Sequence, residues 1–262
     1  MEPIIFEPTP RRIRVAFNNT VIADSTRATI KIETPIPVYY LPLADIRQDL
    51  LVPSGHTKFC PRKGNARFWS IRVGERVAEN AVWNYPEPVP GAPPLATYAA
   101  FGWNLVDHWY EEDEEIFVHP RNPYKRVDAI RSSRRVQVTV GGAVVADTKQ
   151  AVFLFETGLP TRYYIPRSDV RPDVLGPSTR QTRCPYKGIA AYHNVTVNNE
   201  RYGDLVWYYP DPIAECRKIT GLLAFFNENV EAITVDGSVV ARPITPWSKD
   251  STNRLNQGAK ME

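Results

Sequence analysis

The sequence has little of what several classes of protein require. Its 262 residues contain only three cysteines, at positions 60, 184 and 216, and no Cys-x-x-Cys. An odd, widely spaced set of cysteines argues against a disulfide framework and against a structural zinc site. No run approaches about 18 consecutive apolar residues, so the sequence predicts no membrane span. The start, MEPIIFEPTPRR, lacks the apolar segment of a secretory signal, and we therefore expect a cytoplasmic protein.

A charge imbalance and cofactor motifs are also missing. The sequence carries 32 Lys and Arg against 29 Asp and Glu, a net charge of +3. Without a basic stripe, nucleic acid is not an expected partner. There is neither an Asp-x-Asp pair for two metals nor a glycine-rich phosphate loop, so we expect no metal and no cofactor. The apolar fraction of 43% suffices for a packed core. The oligomeric state stays open at this stage.

An internal repeat is the clearest feature that is present. Residues 60–64 (CPRKG) recur at 184–188 (CPYKG), an offset of 124 residues (184 − 60), and over positions 60–88 there are 11 identities in 29. Upstream the offset is 123, which pairs VIAD at 21–24 with VVAD at 144–147. Matches this frequent indicate a duplicated domain.

The repeat sets the predicted domain organisation. We expect a first domain at 10–118, a polar linker at 119–133 that is rich in proline and basic residues, a second domain at 134–243 and a flexible tail at 244–262. Ahead of the linker, residues 111–115 form an acidic block that is typical of a solvated surface.

Each repeat reads mainly as β-strand. Two hairpins are predicted, one turning at Gly141-Gly142 and its counterpart at Asn18-Asn19, because these residues accept positive φ. Further strands are expected at 27–33 and 151–156, around the paired tyrosines at 39–40 and 163–164, and at 230–235. One helix per repeat is predicted, at 94–103 and at 213–226. The predicted fold class is therefore mainly β with one helix per repeat, as two tandem curved antiparallel sheets.

The motifs of the second repeat resemble a known family. The segments VADT (145–148), YYIPRSDV (163–170), CPYKGIAAY (184–192) and WYYPDP (207–212) are similar to the DUF427 domain, and the linker followed by SSRRV (132–136) resembles the tandem members found in fungi. The resemblance implies a compact β fold with a curved sheet around a pocket, and no established reaction. The family also carries a nucleotidyltransferase label. This sequence gives the label no support, because it has neither the Asp-x-Asp pair nor the glycine-rich phosphate loop. The first repeat departs from the pattern at Arg62, and the second at His193.

Repeated titratable residues supply the catalytic candidates. If the strand after the Cys-Pro motif is extended, Lys187 and His193 share an apolar face. A desolvated lysine or a histidine there could act as acid or base. The favoured alternative is structural: the lysine bonds carbonyls of the turn or reaches solvent, and the histidine is a core or rim residue. Glu156 ends an apolar strand and is the third candidate. Each of the remaining catalytic candidates comes from the tyrosine pair or from the first repeat: Tyr164, Lys63 and Glu33.

Aromatic residues supply the ligand-binding candidates. Rings suit a flat or bulky organic ligand, although they also fill the cores of small β domains. Arg67 and Trp69 lie on the strand that follows the first Cys-Pro motif. The complete set is Tyr40, Arg67, Trp69, Trp83, Tyr85, Tyr186, Tyr192, Trp207 and Tyr209. The two repeat-related cysteines are weaker candidates for a nucleophile, since free cysteine is commonly buried.

Three functional hypotheses follow, in this order. The first is a cofactor-independent enzyme that performs isomerase-, cyclase- or lyase-type acid-base chemistry on a small organic molecule in an apolar, aromatic-lined pocket. The alternative is a non-catalytic module that binds a small molecule or a partner. Binding of single-stranded nucleic acid is the least favoured, because charges are nearly balanced.

Overall fold

The chain forms two compact β units. The computed structural model describes residues 3–34 and 36–248, and the chain divides between Asn122 and Pro123. The described residues contain eleven strands in each unit, arranged as one seven-stranded and one four-stranded antiparallel sheet, and neither unit is a closed barrel. The mainly β fold class and the tandem arrangement are confirmed.

Unit 1 holds the first eleven strands. Its seven-stranded sheet has the order β1-β4-β5-β9-β8-β7-β6 and its four-stranded sheet the order β11-β10-β2-β3. Short 3-10 helices lie at Leu43–Asp45, Gln48–Leu50, Leu95–Thr97 and Trp103–Leu105. The strands are β1 (Ile5–Pro8), β2 (Ile13–Phe17), β3 (Thr20–Ser25), β4 (Thr29–Ile32), β5 (Val38–Pro42), β6 (Leu51–Cys60), β7 (Gly64–Val73), β8 (Arg76–Asn84), β9 (Tyr98–Phe101), β10 (His108–Glu111) and β11 (Glu114–Ile116).

Unit 2 repeats this topology. Its sheets have the orders β12-β15-β16-β20-β19-β18-β17 and β14-β13-β21-β22. Its 3-10 helices are Arg167–Asp169, Pro172–Val174 and Ala214–Ile219. The strands are β12 (Val127–Arg131), β13 (Val136–Val140), β14 (Ala143–Thr148), β15 (Val152–Glu156), β16 (Arg162–Ile165), β17 (Leu175–Cys184), β18 (Gly188–Val197), β19 (Glu200–Tyr208), β20 (Leu223–Phe225), β21 (Ala232–Val235) and β22 (Ser238–Val239).

The two predicted hairpins are confirmed by their turns. Asn18 and Asn19 have φ of 47° and 57°, and Gly141 and Gly142 have φ of 55° and 76°. Positive φ at both central residues matches the right-handed twist of the flanking strands. β2 therefore pairs with β3, and β13 with β14, at the positions the sequence predicts.

Each seven-stranded sheet buries both of its faces. One face, which we call the packed face, meets the four-stranded sheet; in unit 2 Phe153 and Ile165 share one apolar core with Val136 and Val138 of that sheet. The opposite face carries a second apolar cluster that includes Tyr164 and is called here the aromatic face. A sheet with two buried faces loses the simple alternation of polar and apolar residues.

The predicted helices differ from those observed. Residues 94–103 contain the 3-10 helix Leu95–Thr97, β9 and the first residue of the 3-10 helix Trp103–Leu105. Residues 213–226 contain the 3-10 helix Ala214–Ile219, followed by β20. The helical spacing of Ile219, Leu222 and Leu223 arises because Ile219 lies in the aromatic-face cluster and Leu223 in the core of the packed face. Two buried faces of a sheet thus imitate the period of a helix.

Edge strands account for the other differences. β1 precedes the predicted start of the first domain, and β12 lies within the predicted linker, where it pairs with β15. Part of the predicted flexible tail, residues 244–248, packs against the rest of unit 2. Thr245 Oγ1 donates a hydrogen bond to Glu228 Oε1 at 2.6 Å. The remainder, 249–262, lies outside the described residues. Within the described residues, no helix has the length and apolar character needed to cross a membrane.

Candidate functional site

The aromatic face gathers most of the predicted ligand-binding residues. In unit 2 neighbouring strands place Tyr164 beside Ala224, Ala224 beside Trp207, and Trp207 beside Tyr192. Tyr164 is fully buried, and its hydroxyl accepts a hydrogen bond from Trp207 Nε1 at 3.1 Å. The aromatic residues of this face are Tyr164, Tyr192, Trp207, Tyr209 and Phe226 in unit 2 and Phe6, Tyr40, Phe68, Trp83, Tyr85 and Tyr98 in unit 1.

A buried carboxylate with two lysines lies at the rim of this face in unit 2. Lys187 Nζ donates to Glu156 Oε2 at 2.5 Å, and Lys125 Nζ lies 3.0 Å from Glu156 Oε1. The side chains of Glu156 and Lys187 are only 5% and 11% exposed. Lys187 also hydrogen-bonds Cys184, and the Lys125 ammonium stands 5.1 Å above the ring of Tyr186. We call Glu156, Lys125 and Lys187 the carboxylate cluster of unit 2.

Unit 1 has its own carboxylate cluster, built from Glu33 and three cations. Lys63 Nζ donates to Glu33 Oε2 at 2.5 Å and Lys31 Nζ to the same oxygen at 3.0 Å. Arg62 Nη1 lies 3.1 Å from Glu33 Oε1. Lys63 stands 5.9 Å above the ring of Tyr85 on the aromatic face.

The cluster joins strands that are distant in the sheet order. Glu156 ends β15, whereas Lys187 lies in the turn between β17 and β18, four strand positions away. Strands in a sheet are about 4.8 Å apart, so a flat sheet would separate them by roughly 19 Å. Their contact requires the sheet to curve, and it fastens one end of the curved sheet to the other. The same relation holds for Glu33 and Lys63 across β4 and β7.

Both carboxylates are held ionised. Burial by itself would raise the pKa of Glu33, but hydrogen bonds from Lys63 and Lys31 outweigh it and lower the pKa to about 2. The same balance holds for Glu156. Burial acts to raise its pKa, but the charges and hydrogen bonds of Lys187 and Lys125 outweigh burial, so the pKa is lowered.

The two lysines with shifted pKa values differ between units. For Lys187 burial acts to lower the pKa, yet Cys184 and Glu156 outweigh it and the pKa is raised. In unit 1 burial and the charge of Lys63 lower the pKa of Lys31, although Glu33 partly offsets this. Lys187 therefore stays protonated more firmly than an ordinary lysine, while Lys31 releases its proton more easily.

Lys187 and His193 do not lie together on one face of the strand, although the sequence predicts that they do. Gly188 has φ of +103° and turns the chain, so Lys187 reaches Glu156 at the rim of the aromatic face. His193 Nε2 instead contacts Arg167 Nη2 at 2.7 Å, and its ring stacks on Tyr208 at 5.0 Å, at the edge of the packed face. The expected lysine–histidine pair is absent because the turn breaks the alternation of the strand.

Three ligand-binding candidates also lie away from the aromatic face. Trp69 packs against the core of the packed face in unit 1. The exposed Arg67 is 3.8 Å from Glu87. Tyr186 is buried in the turn before Lys187, where its carbonyl accepts from Cys216.

Sequence reasoning missed three cations of the clusters: Lys31, Arg62 and Lys125. Lys31 stands two residues before Glu33, and alternation along a strand could have placed both on one face. Lys125 had no such signal, because it reaches Glu156 only through the pairing of β12 with β15, two segments that the predicted linker boundary separated.

The carboxylate clusters are neither metal sites nor part of three clefts on the surface. No group of three His, Cys, Asp or Glu side chains in the described part of the chain is arranged to hold a metal ion. Of the surface clefts, one of about 360 Å³ in unit 1 and two of about 590 Å³ and 710 Å³ in unit 2 are lined by residues outside the clusters.

Comparison with known proteins gives one result. A family model described as "Domain of unknown function (DUF427)" matches residues 5–112 and residues 128–236. Each match falls within one unit and contains that unit's glutamate and the lysine of its Cys-Pro turn. A search of curated proteins gives no significant match. With both repeats matched, the chain belongs to the DUF427 family and carries two copies of its domain.

Proposed function

We propose that the protein binds small organic acids, one on the rim of the aromatic face of each unit. The observation that supports this is the excess of cations over carboxylate in each cluster. In unit 2 two lysines face one glutamate, and in unit 1 Glu33 faces two lysines and an arginine. Away from bulk water such an excess strongly favours an anion.

Stability alone is a weak explanation for these clusters. A buried ion pair repays its desolvation only with difficulty, and an apolar pair of similar size often serves as well. The two repeats have diverged at most positions, yet each keeps two lysines on its glutamate. The second lysine comes from β4 in unit 1 and from the segment before β12 in unit 2. Retention of the charge pattern from different positions supports a binding role.

The neighbouring rings define the class of ligand. A carboxylate on Lys125 would place the attached group near Tyr186, and one on Arg62 and Lys63 would place it near Tyr85. Aromatic rings bind flat apolar groups by stacking and edge contacts. An aromatic carboxylic acid therefore combines both features of the site.

The test uses cinnamate, with cinnamide as the neutral analogue, followed by ligand-observed NMR and tryptophan fluorescence. The double variant Arg62→Met/Lys125→Met removes the more exposed cations and leaves both Glu–Lys pairs intact. We expect cinnamate affinity to fall about tenfold or more and cinnamide affinity to stay unchanged. The control Arg72→Met/Arg126→Met removes one exposed cation from each unit. Equal binding of acid and amide, or equal loss in both variants, would refute the proposal.

Cofactor-independent acid-base catalysis is the second candidate, and Lys31 is the observation in its favour. Lys31 is a buried lysine with a lowered pKa, next to a carboxylate and another ammonium group. A lowered pKa is what a lysine needs in order to act as a general base. Titration of the Lys31 side chain by NMR tests this without a substrate. A pKa at or above the ordinary lysine value of about 10.4 would remove this candidate.

A further inference from the structure

Unit 2 contains a cationic cleft that the carboxylate cluster does not use. The cleft, of about 710 Å³, lies where the end of β12 meets the 3-10 helix Ala214–Ile219. Arg131, Lys149 and Lys218 line it, together with Ser132 and Ser133. Val152 and Leu222 supply an apolar wall, and no carboxylate is among the lining residues in the described part of the chain.

The positive charges of this cleft have little local compensation. Lys218 Nζ donates to the carbonyl of Ala129 at 3.1 Å, a neutral partner. Lys149 interacts electrostatically with Asp147 and Asp236, but arginines already bind these two carboxylates at 2.5 and 2.6 Å. Net positive charge is therefore concentrated along one side of an open space.

The third cation, Arg131, is exposed at the end of the edge strand. Its backbone position is fixed by pairing with Val152 on β15, one of the apolar residues of the cleft. The charge and the apolar wall are thus held side by side by the sheet.

Unit 1 shows what the same place looks like without the charges. By the repeat offsets, Arg131, Lys149 and Lys218 correspond to Pro8, Thr26 and Pro94. Leu222 corresponds to Tyr98, whose ring packs edge-on against Phe6 at 5.4 Å. An aromatic ring therefore stands in unit 1 at the position where Leu222 lines the cleft of unit 2. None of the three cations Arg131, Lys149 and Lys218 has a cationic counterpart at its corresponding position in the first repeat.

We propose that this cleft binds a phosphomonoester that carries an aliphatic chain. Three cations and two serine hydroxyls suit the charge and the several acceptor oxygens of a phosphate. Val152 and Leu222 suit an aliphatic chain. The volume lies within the range of small-molecule sites. No aromatic ring is among the lining residues in the described chain, so a nucleobase would find no stacking partner.

The decisive experiment measures binding of hexyl phosphate to the full chain by calorimetry at constant salt. The cleft variant Arg131→Gln/Lys149→Gln/Lys218→Gln is compared with Arg171→Gln/Arg183→Gln/Arg201→Gln, which removes three exposed cations of unit 2 outside the cleft. We expect affinity to fall about twentyfold or more in the first variant and less than about threefold in the second. Equal losses, or no binding of hexyl phosphate to the native chain, would overturn the proposal.

A second variant tests the apolar wall. Leu222→Tyr introduces the residue found at the corresponding position of unit 1, Tyr98. We expect the affinity for hexyl phosphate to fall about tenfold and the affinity for inorganic phosphate to stay the same. Hexyl phosphate and vesicles containing phosphatidic acid distinguish a free ligand from a lipid headgroup, and loss of either in the cleft variant alone supports the phosphate site. Tighter binding of oligothymidylate than of hexyl phosphate, lost equally in both triple variants, would contradict it.

Discussion

At the scale of single residues, the central feature is Glu156, a nearly buried carboxylate whose two oxygens each bind a lysine. Glu156 loses its water but gains two ammonium partners, at 2.5 and 3.0 Å. The partners replace the lost hydration only as long as both signs of charge are present. Removal of one member is therefore a sharper probe than removal of the pair.

Neutralising Glu156 should destabilise unit 2. Glu156→Gln leaves Lys187 buried without a counter-charge, and we expect the free energy of unfolding to fall by about 3 kcal/mol in urea denaturation. The double variant Glu156→Met/Lys187→Met removes both charges and should recover most of that loss. A cost below about 1 kcal/mol for the single variant would show that Lys187 finds another partner or water.

Acid should weaken unit 1 through Glu33. Its pKa is about 2 in the folded chain and about 4.3 in an unfolded one, so its contribution is complete above pH 4.3 and disappears as the pH falls towards 2. The contribution amounts to at most about 3 kcal/mol. In urea midpoints measured from pH 5 to pH 2.5, Glu33→Gln should flatten the decline, whereas the exposed Glu75→Gln should follow the native chain. Parallel curves for all three proteins would contradict this account.

At the scale of elements, the turn before β7 and β18 decides where the lysine points. Gly64 has φ of +105°, and a Cβ built there would lie 2.7 Å from the carbonyl oxygen of Glu87. Gly188 has φ of +103° and a similar approach, 3.3 Å, to the carbonyl of Asp211. Both glycines let the Cys-Pro turn close against the chain that follows β8 or β19, which brings the lysine to its glutamate.

Gly64→Ala should disrupt this turn. The added methyl group meets backbone that cannot easily move, and φ of +105° is unfavourable for alanine, so we expect a loss of about 2–4 kcal/mol. Gly91→Ala is the control, since Gly91 has φ of +83° but no atom within 4 Å of the built Cβ. It should lose only about 1 kcal/mol in the same urea experiment. Equal losses would mean that the backbone angle alone, without the contact to Glu87, matters.

Local chemistry explains which elements the sequence could predict. Hairpins were predictable because Asn18-Asn19 and Gly141-Gly142 favour the positive φ that the turns adopt. The helix predicted at 213–226 is observed only as the 3-10 helix Ala214–Ile219, because the apolar residues that follow lie on two buried faces and imitate helical spacing. Edge strands β1 and β12 were missed because their segments lack alternation.

The site was predictable in its members more than in its arrangement. The repeat identified Glu33, Glu156, Lys63 and Lys187 as candidates, and the structure joins each glutamate to the lysine of its own unit. The pairing depends on sheet curvature between strands far apart in the sheet order, which no local pattern encodes. The sequence placed Lys187 on the face of His193 for a related reason, since one glycine with positive φ, Gly188, changes the direction of the chain between them.

At the scale of the whole molecule, each unit is complete in its own cores. The two apolar clusters of unit 1 contain only residues before 123, and those of unit 2 only residues after 122. A domain with its own core is expected to fold alone. Residues 1–122 and 123–262, produced separately, should therefore each unfold cooperatively in urea. Absence of a cooperative transition in either fragment would show that the unit depends on its neighbour.

We propose that each carboxylate cluster binds the acid group of a small aromatic ligand. Diffraction from crystals soaked with 4-bromocinnamate tests it most directly, because anomalous scattering locates the bromine without bias. We expect one bromine near the aromatic face of each unit, with the ligand carboxylate bound by Lys125 in unit 2 and by Arg62 in unit 1. Bromine sites found only elsewhere, or carboxylates that avoid both cations, would contradict it.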